Sequence, residues 1–153
     1  MLKINRKVEY GLVAMKHMHG KPKDELTSVR EICEIYNTPF DPVAHVLRIL
    51  NSEGILQSEQ GAHGGYRLVE SLKNISLAQF IEMIDGHLHW TDCSREKNHR
   101  CTIVETCNIV GPMRILSDRL VDFLGSITLW ELIIENGSPL ELNQLSLDTA
   151  PTI

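Results

Sequence analysis

Two short helical segments joined by a tight turn constrain the fold of this chain most strongly. In the first, Ser28 and Glu31 form a capping-box pattern, in which the hydroxyl and the carboxylate each accept a hydrogen bond from a free backbone N–H. In the second, Asp41 is the predicted N-cap and Pro42 the first helical residue, where a missing N–H is harmless. Gly54 stands where a left-handed C-cap belongs. Two capped helices joined in this way predict a helix-turn-helix.

The second segment divides into an apolar and a small polar face. Its apolar residues recur at helical spacing and are predicted to face the core: Val43, Val46, Leu47 and Leu50. The residues left facing outward are Ala44, His45, Arg48 and Asn51. This division predicts a recognition helix that enters a DNA groove. The candidate base contacts are Asp41, His45 and Arg48, because arginine can pair with guanine through two hydrogen bonds.

A glycine-rich turn follows the presumed recognition helix. Residues 55–60 and 66–69 are predicted to be two short strands, and residues 61–65 the turn between them. This pattern predicts a β-hairpin wing. Glycines in such a turn let the backbone approach a phosphate, so the candidate DNA contacts in the wing are His63, Gly64, Gly65 and Arg67. The alternative is that the glycines only close the turn.

Three of the four cysteines lie close together in a polar stretch: Cys93, Cys101 and Cys107. Thiolates on a polar loop suit a soft metal or an iron–sulfur cluster. The intervals between them are wider than in structural zinc sites, which bring ligands in as tight pairs. Disulfide or thiol redox chemistry, and cysteines without a role, are the alternatives. Cys33 falls on the apolar stripe of the first short helix and is predicted to be a buried small hydrophobe.

Further helices are predicted on either side of these features. One runs from an Asn5 cap to about His19, and another from a Ser76 and Gln79 capping box to Gly86, with Leu77, Phe80, Ile81 and Ile84 inward. After the cysteines, apolar residues recur at spacings of three and four, at Met113, Leu116, Leu120, Phe123, Ile127 and Trp130. This seam, interrupted at residues 125–126 and restarted at Thr128, predicts a helix that packs on its own domain or on a second copy. The second copy is favoured, because readers with one helix-turn-helix usually need two half-sites.

The expected fold class is therefore mainly α with a small β-hairpin wing, a winged helix-turn-helix plus a long dimerisation helix. We expect a DNA-binding domain over residues 1–70, a helix, cysteine loop and dimerisation helix over 71–137, and a flexible C-terminal tail over 138–153. No leader or membrane-spanning run is found in the sequence, which predicts a cytoplasmic protein. Neither a Cys-x-x-Cys pair nor a phosphate loop supports an enzyme.

Charge is distributed unevenly along the chain. The formal net charge is −5. Residues 1–69 hold nine Lys and Arg against eight Asp and Glu, whereas residues 70–153 hold six against twelve, so the halves carry +1 and −6. The acidity belongs to the C-terminal half. A local basic surface can still neutralise phosphates, but strong nonspecific DNA affinity is not expected.

Several further stretches stand in a fixed order around the cysteines: RKVEYGL at 6–12, LRILNSEGI at 47–55, GGYRL at 64–68, ISL at 75–77, LSDRL at 116–120 and ITLWEL at 127–132. With these stretches, roughly residues 2–136 resemble the IscR/NsrR/RirA family of bacterial iron–sulfur transcription regulators. The resemblance implies a homodimer that binds a pseudo-palindromic double-stranded DNA operator. It also implies an iron–sulfur cluster, 4Fe-4S or 2Fe-2S, ligated by the residues matching Cys93, Cys101 and Cys107.

The fourth cluster ligand is where the chain departs from part of this family. Relatives similar to the cluster-assembly regulator place a histidine where Val110 stands. Nitric-oxide-sensing relatives use a first-helix carboxylate donated by the partner subunit, and Glu9 matches that position. Water and three histidines are the alternatives: His87, His89 and His99. Ala44 replaces a discriminating acidic residue of some relatives, so their operator sequence does not transfer.

The resemblance implies a transcriptional regulator, expected to be a repressor, whose operator affinity depends on the cluster. The expected signals are nitric oxide, iron or cluster status, and oxidative stress. Some relatives lack the cluster cysteines and act through protein partners, but the three clustered thiols speak against that reading here. The more serious rival is a cluster-free thiol–disulfide sensor of the same fold, acting through Cys93 and Cys107.

Overall fold

A computed structural model describes residues 4–61, 63–86, 88 and 101–135 of the chain. The elements follow in the order α1 (Arg6–His19), α2 (Val29–Tyr36), α3 (Phe40–Ser52), β1 (Leu56–Glu59), β2 (Gly65–Leu68), a 3-10 turn (Leu72–Asn74), α4 (Leu77–Asp85), α5 (Val110–Ser126) and a π-helical turn (Glu131–Glu135). The two strands form an antiparallel hairpin directly after α3. This winged helix-turn-helix, followed by a long helix, confirms the predicted fold class. Within the described ranges, no helix is long and apolar enough to cross a membrane.

Capping residues fix where α1 and α4 begin, as predicted. The side chain of Asn5 accepts a hydrogen bond of 3.1 Å from the backbone N–H of Lys7. At α4 the capping box is complete, because Ser76 Oγ accepts from Gln79 N at 3.2 Å and Gln79 Oε1 accepts from Ser76 N at 2.9 Å. Both caps satisfy N–H groups that a helix end leaves without partners.

The capping box predicted for α2 is only half formed. Ser28 Oγ accepts from the backbone N–H of Glu31 at 3.1 Å, but the Glu31 carboxylate does not return the bond to residue 28. It instead accepts hydrogen bonds from Lys21 Nζ at 2.7 Å and His17 Nε2 at 2.8 Å. A charged donor from outside the helix competes better for a carboxylate than a neutral backbone N–H does.

α3 begins one residue before the predicted Asp41 cap, so that assignment was wrong. Pro39 is the N-cap residue, with φ −71° and ψ 139°, and no side chain caps the helix. Asp41 and Pro42 are then the second and third helical residues, where an N–H would have no intrahelical partner in any case. Gly54 has φ +76°, which confirms the predicted left-handed residue after the helix.

The hydrophobic core is built mainly from α1, α3, α4 and the segment after α5, with further buried side chains from α2, β1 and the 3-10 turn. Its largest fully buried side chains include Phe80, Met15, Leu47, Leu50 and Leu129. All four residues predicted inward on α3, and all four on α4, are buried. A Cβ on Gly11 would lie 2.8 Å from Cζ of Phe80, so a glycine lets α1 approach α4 closely. Cys33 only partly fits its prediction, because it packs against the core but remains partly exposed.

The chain changes direction where α5 ends. Ile127 has extended backbone angles, and the segment pairs with the start of α4 through Leu77 N to Ile127 O, 2.8 Å, and Leu129 N to Ile75 O, 2.9 Å. Thr128 and Glu131 then cap the next helical turn. The predicted seam is therefore divided between two elements. Its last two members, Ile127 and Trp130, pack against the protein's own core.

Candidate DNA-binding surface and thiolate site

The polar face of α3 is accessible, as predicted for a recognition helix. Asp41, His45 and Arg48 are exposed, whereas the apolar stripe of the same helix is buried: Val43, Val46, Leu47 and Leu50. Nε of Arg48 donates to the backbone oxygen of Ala44 at 3.3 Å, one turn earlier, which leaves the end of the guanidinium beyond the helix surface. The buried side chains of α3 pack on the protein core, and its polar side chains face solvent. This is the arrangement that a helix needs to enter a major groove.

A groove of about 540 Å³ lies between the start of α2, the start of α3 and the wing. Its walls include Ser28, Arg30, Phe40, Gly64 and Tyr66. Arg30 and Phe40 are exposed and were not among the candidates drawn from the sequence. The sequence could have indicated Arg30 as a DNA contact, because it is a cation in the first turn of the helix that precedes the recognition helix. The groove places that cation beside the wing glycines.

The wing glycines are needed for close packing inside the protein. A Cβ on Gly65 would lie 2.7 Å from the backbone oxygen of Thr27, and a Cβ on Gly64 would clash with the backbone oxygen of Glu59. Thr27 pairs with the wing through a bridge in which Thr27 N donates to Tyr66 O at 2.8 Å and Tyr66 N to Thr27 O at 2.9 Å. This supports the alternative that the glycines shape the wing. DNA contact by their backbone stays a prediction.

The structure does not bring Arg67 into the groove. It lies opposite Gln57 in the hairpin and donates to Gln57 Oε1 from Nη2 at 2.8 Å, while Nη1 pairs with Glu59 Oε1 at 2.8 Å. Successive side chains of a strand point to opposite faces, so Tyr66 faces the groove and Arg67 faces away from it. A DNA contact by Arg67 requires exchange of the Glu59 pair. His63 is exposed at the wing tip.

A network of charged and hydrogen-bonded side chains connects α2 to the end of α1 and the segment after it. Nε2 of His17 lies 2.8 Å from Oε1 of Glu31, and Nδ1 of the same ring lies 3.1 Å from the hydroxyl of Tyr36. Lys21 bonds Glu31 at 2.7 Å and Glu25 at 2.8 Å. Partial burial raises the pKa of Glu31, but the hydrogen bonds and charges of Lys21 and His17 outweigh it and hold that pKa below its ordinary value. The network fixes the first helix of the helix-turn-helix against the end of α1.

Two of the three clustered cysteines lie in the described part of the chain. Cys101 and Cys107 are partly buried free thiols in a segment of turns that ends at α5. Cys93 lies outside the described residues, as do the alternative ligands His87, His89 and His99. Over the ranges that are described, no group of three His, Cys, Asp or Glu side chains could hold a metal. The donor chemistry nevertheless fits an iron–sulfur cluster, because thiolates are the ligands such clusters use.

Glu9 lies on the exposed side of α1. Its side chain is 47% exposed, and its Oε2 is 3.7 Å from Nη1 of Arg6. Such a long, exposed ion pair contributes little stability, so the carboxylate can exchange it for another partner. Its position on the surface is compatible with donation to a second copy of the chain.

α5 exposes much of the first part of its predicted seam. Leu116 and Phe123 are about half exposed, at 49% and 48%, and their neighbour Ile115 is 57% exposed. An adjoining side of the helix packs on its own domain, where Ser117 is buried and Leu124 contacts the core. α5 therefore has one face covered by its own chain and one apolar face accessible.

Comparison with known proteins places this arrangement among transcriptional regulators. The Rrf2 family, described as iron-dependent transcriptional regulators, matches residues 4–135. The HTH-type transcriptional regulator NsrR of Halalkalibacterium halodurans is 23% identical over 125 residues, which is 82% of this chain and 86% of the relative. The oxidised form of Staphylococcus aureus CymR superposes with a TM-score of 0.66 at 25% identity, covering 87% of this chain and 97% of CymR. IscR of T. potens superposes with a TM-score of 0.62 at 21% identity, covering 88% of each chain.

Proposed function

We propose that this chain, which belongs to the Rrf2 family of iron-dependent transcriptional regulators, is a repressor whose operator affinity is set by an iron–sulfur cluster. Family membership makes the protein a DNA-binding transcriptional regulator and not an enzyme. The proposed signals are nitric oxide, iron or cluster status, and oxidative stress. The proposed place of action is the cytoplasm, where its DNA target lies.

DNA recognition is assigned to residues 1–70. His45 and Arg48 on the exposed face of α3, with Asp41 near its start, are proposed to contact base edges in the major groove. Arg30 in the groove beside the wing is proposed to contact a phosphate, and His63 with the wing glycines to lie along the DNA backbone. This division assigns specificity to α3 and much of the affinity to the surrounding contacts.

Pairing of two copies is assigned to α5, within residues 71–137. The exposed apolar residues Ile115, Leu116 and Phe123 support a helix-to-helix interface with a second chain. A symmetric dimer of this kind presents two copies of α3 to two half-sites of a pseudo-palindromic operator. The net charge of −6 on residues 70–153 argues that this half of the chain faces away from the DNA.

Cys93, Cys101 and Cys107 are proposed to hold the cluster, with Glu9 of a second copy as the fourth donor. An iron–sulfur cluster in such a site would supply iron that can react with oxygen or nitric oxide. The thiolates would hold the group, and the single carboxylate would be the weaker and more exchangeable donor. A carboxylate that arrives from the other subunit would also fix the orientation of the two chains.

The proposed coupling between the cysteine site and DNA is supported by the position of Cys107 beside the start of α5. Cys107 is followed after two residues by Val110, the first residue of α5, the helix with the accessible apolar face. A change in the position of Cys107 therefore acts directly on the start of the proposed dimer helix. Rotation of one subunit against the other would then alter the spacing of the two α3 helices.

The test compares operator affinity at one salt concentration for protein prepared without oxygen and for the same protein after iron removal. The operator is first selected from random double-stranded DNA. We expect the two forms to differ by about tenfold or more, a typical allosteric coupling. Cys33→Ser is the matched control and should behave as the native chain, whereas the variant with Cys93, Cys101 and Cys107 changed to Ser should behave as the iron-free form. Equal affinities of the two forms would contradict the proposal.

A second candidate is a cluster-free regulator of the same fold that senses oxidants through a disulfide between Cys93 and Cys107. It is supported by the similarity to S. aureus CymR, whose structure is of an oxidised form, and by the free, partly buried thiol of Cys107. This candidate requires DNA binding that changes with oxidant and thiol reductant in protein that holds neither iron nor acid-labile sulfide. Cys93→Ser would then abolish the response to oxidant.

A further inference from the structure

Phe40 opens α3 with its ring exposed. It is the first residue of the helix, and 55% of it is accessible to solvent. Pro39 precedes it as the N-cap, with φ −71°, and Pro42 is the third helical residue. Since a proline ring fixes φ, the backbone on both sides of Phe40 has little freedom. The aromatic side chain is therefore presented from a rigid support.

The surroundings of Phe40 belong to the proposed DNA surface and not to the core. Its side chain lines the groove that also contains Arg30 and the wing glycines. It is absent from the buried core cluster, where Phe80 fills the space between α1 and α4. A partner that enters the groove meets the ring together with the exposed cation of Arg30; Glu59 also lines the groove, and its carboxylate is paired with Arg67.

Charge decides which part of DNA the first turn of α3 can meet. That turn holds Phe40, Asp41, Pro42 and Val43, which include an exposed carboxylate and no cation. A carboxylate is repelled by phosphates but can accept a hydrogen bond from the amino group of cytosine. Its side chains therefore suit base edges, and phosphate contacts fall to residues such as Arg30. On base edges in the major groove, the only alkyl group is the C5-methyl of thymine.

We infer that Phe40 is a specificity-determining residue that packs against the C5-methyl group of one thymine in each half-site of the operator. The inference rests on the proposed DNA-binding function and deepens it by naming a base. The methyl group is removed from water between the ring and the groove wall, which favours thymine over cytosine or uracil at that position.

The test uses the full-length native protein and operators selected from random DNA. Each thymine of the selected half-site is replaced in turn by deoxyuridine, which lacks only the methyl group. We expect one replacement near the α3 contact to weaken binding by the native protein by about fourfold, the effect of returning one buried methyl to water. The Phe40→Ala variant should bind the thymine operator more weakly and should not respond to the same replacement. Val69→Ala, which changes another exposed apolar residue outside this groove, should respond as the native protein does.

Each other outcome is decisive. A native protein that is insensitive to every deoxyuridine replacement, or a Phe40→Ala variant that remains sensitive at the same position, overturns the role of Phe40 while DNA binding stands. Uniform weakening of Phe40→Ala on all operators, with no base preference changed, assigns the ring to the DNA backbone and also overturns it. Failure of the native protein to select any sequence from random DNA contradicts the proposed function itself. Circular dichroism of the variant establishes that it is folded, and the deoxyuridine response of the native protein does not depend on the variant.

Discussion

Nζ of Lys21 lies 2.7 Å from Oε1 of Glu31, so the segment after α1 holds the first turn of α2. His17, on α1, approaches the same carboxylate oxygen to 2.8 Å. The side chains of Lys21 and His17 are only 15% and 12% exposed, so solvent screens this network less than it screens a surface pair. The helix-turn-helix is thus fastened to α1 by charge as well as by apolar packing.

Removing the Glu31 charge is expected to lower stability at neutral pH by about 1 kcal/mol, the upper range for a partly exposed pair. We compare Glu31→Gln with the native protein by urea unfolding at several pH values. Because the folded-state pKa of Glu31 is below its ordinary value, its contribution is complete above the unfolded carboxyl pKa and is lost as pH falls through the folded one. Glu34→Gln, which changes an exposed acid on the same helix, is the matched control. If the difference in unfolding free energy between Glu31→Gln and the native protein stayed unchanged in acid, the Glu31 charge would not be its cause.

The alkaline limit of the same network follows from Lys21. Partial burial lowers its pKa, but hydrogen bonds and charges of Glu25 and Glu31 outweigh this and raise the pKa above the ordinary value. The contribution of Lys21 is therefore complete below the unfolded lysine pKa and is lost as pH rises through the folded one. The network stabilises the fold between these acid and alkaline limits.

Gly65→Ala is expected to destabilise the protein by about 1–3 kcal/mol, the usual cost of overpacking. The added Cβ would lie 2.7 Å from the Thr27 backbone oxygen and would force the wing away from the start of α2. Thermal or urea unfolding measures the loss. At Gly20 the added Cβ meets its nearest atom, His17 O, at 3.5 Å, so Gly20→Ala serves as the control. Equal stabilities for the two alanine variants would argue that the wing adjusts freely.

Arg30→Ala is expected to weaken operator and nonspecific DNA binding alike. If Arg30 neutralises one phosphate, the slope of log affinity against log salt should become shallower by about one unit per contact. The measurement is a fluorescence anisotropy titration at several salt concentrations, with Lys16→Ala as a control for loss of an exposed cation on α1. An unchanged slope would remove Arg30 from the DNA contact surface.

Glu9→Ala is expected to accelerate iron loss from protein prepared without oxygen when a chelator is added. The carboxylate is the proposed fourth donor, and its removal leaves only thiolate ligands from the chain. Iron release is followed by the absorbance of the chelator complex, and Glu34→Ala controls for loss of an exposed acid. Identical release rates in the two variants would exclude Glu9 and direct attention to His87, His89 or His99.

What could be predicted from the sequence depended on how local the interaction was. The caps at Asn5 and Ser76 join residues two or three positions apart, so the pattern itself contains both partners. Glu31 has partners 10 and 14 residues away, and the sequence could not show that they would displace its capping bond. At α3 both Pro39 and Asp41 are acceptable start signals, and only the packed structure decides between them.

In the candidate site, too, the contacts that the sequence could not show depend on residues far apart in the chain or on the packing of elements. The predicted hairpin brought Arg67 into consideration, but its pairing with Gln57 and Glu59 depends on the strand register. Phe40 was missed because the sequence placed it in the turn before the helix. The spacing of Leu116 and Phe123 was enough to predict the accessible apolar face of α5. The spacing could not show that the helix ends before Ile127, where the backbone becomes extended.

The proposed regulation depends on an iron–sulfur cluster held by Cys93, Cys101 and Cys107. Its most direct test is an assay of iron and acid-labile sulfide per chain in protein purified without oxygen. We expect iron and sulfide in equal amounts, retained in Cys33→Ser and lost when the three clustered cysteines are changed to Ser. The amount per chain distinguishes a 2Fe-2S from a 4Fe-4S cluster. Native protein that binds its operator yet holds neither iron nor sulfide, even after reconstitution, would exclude the cluster and leave the thiol sensor.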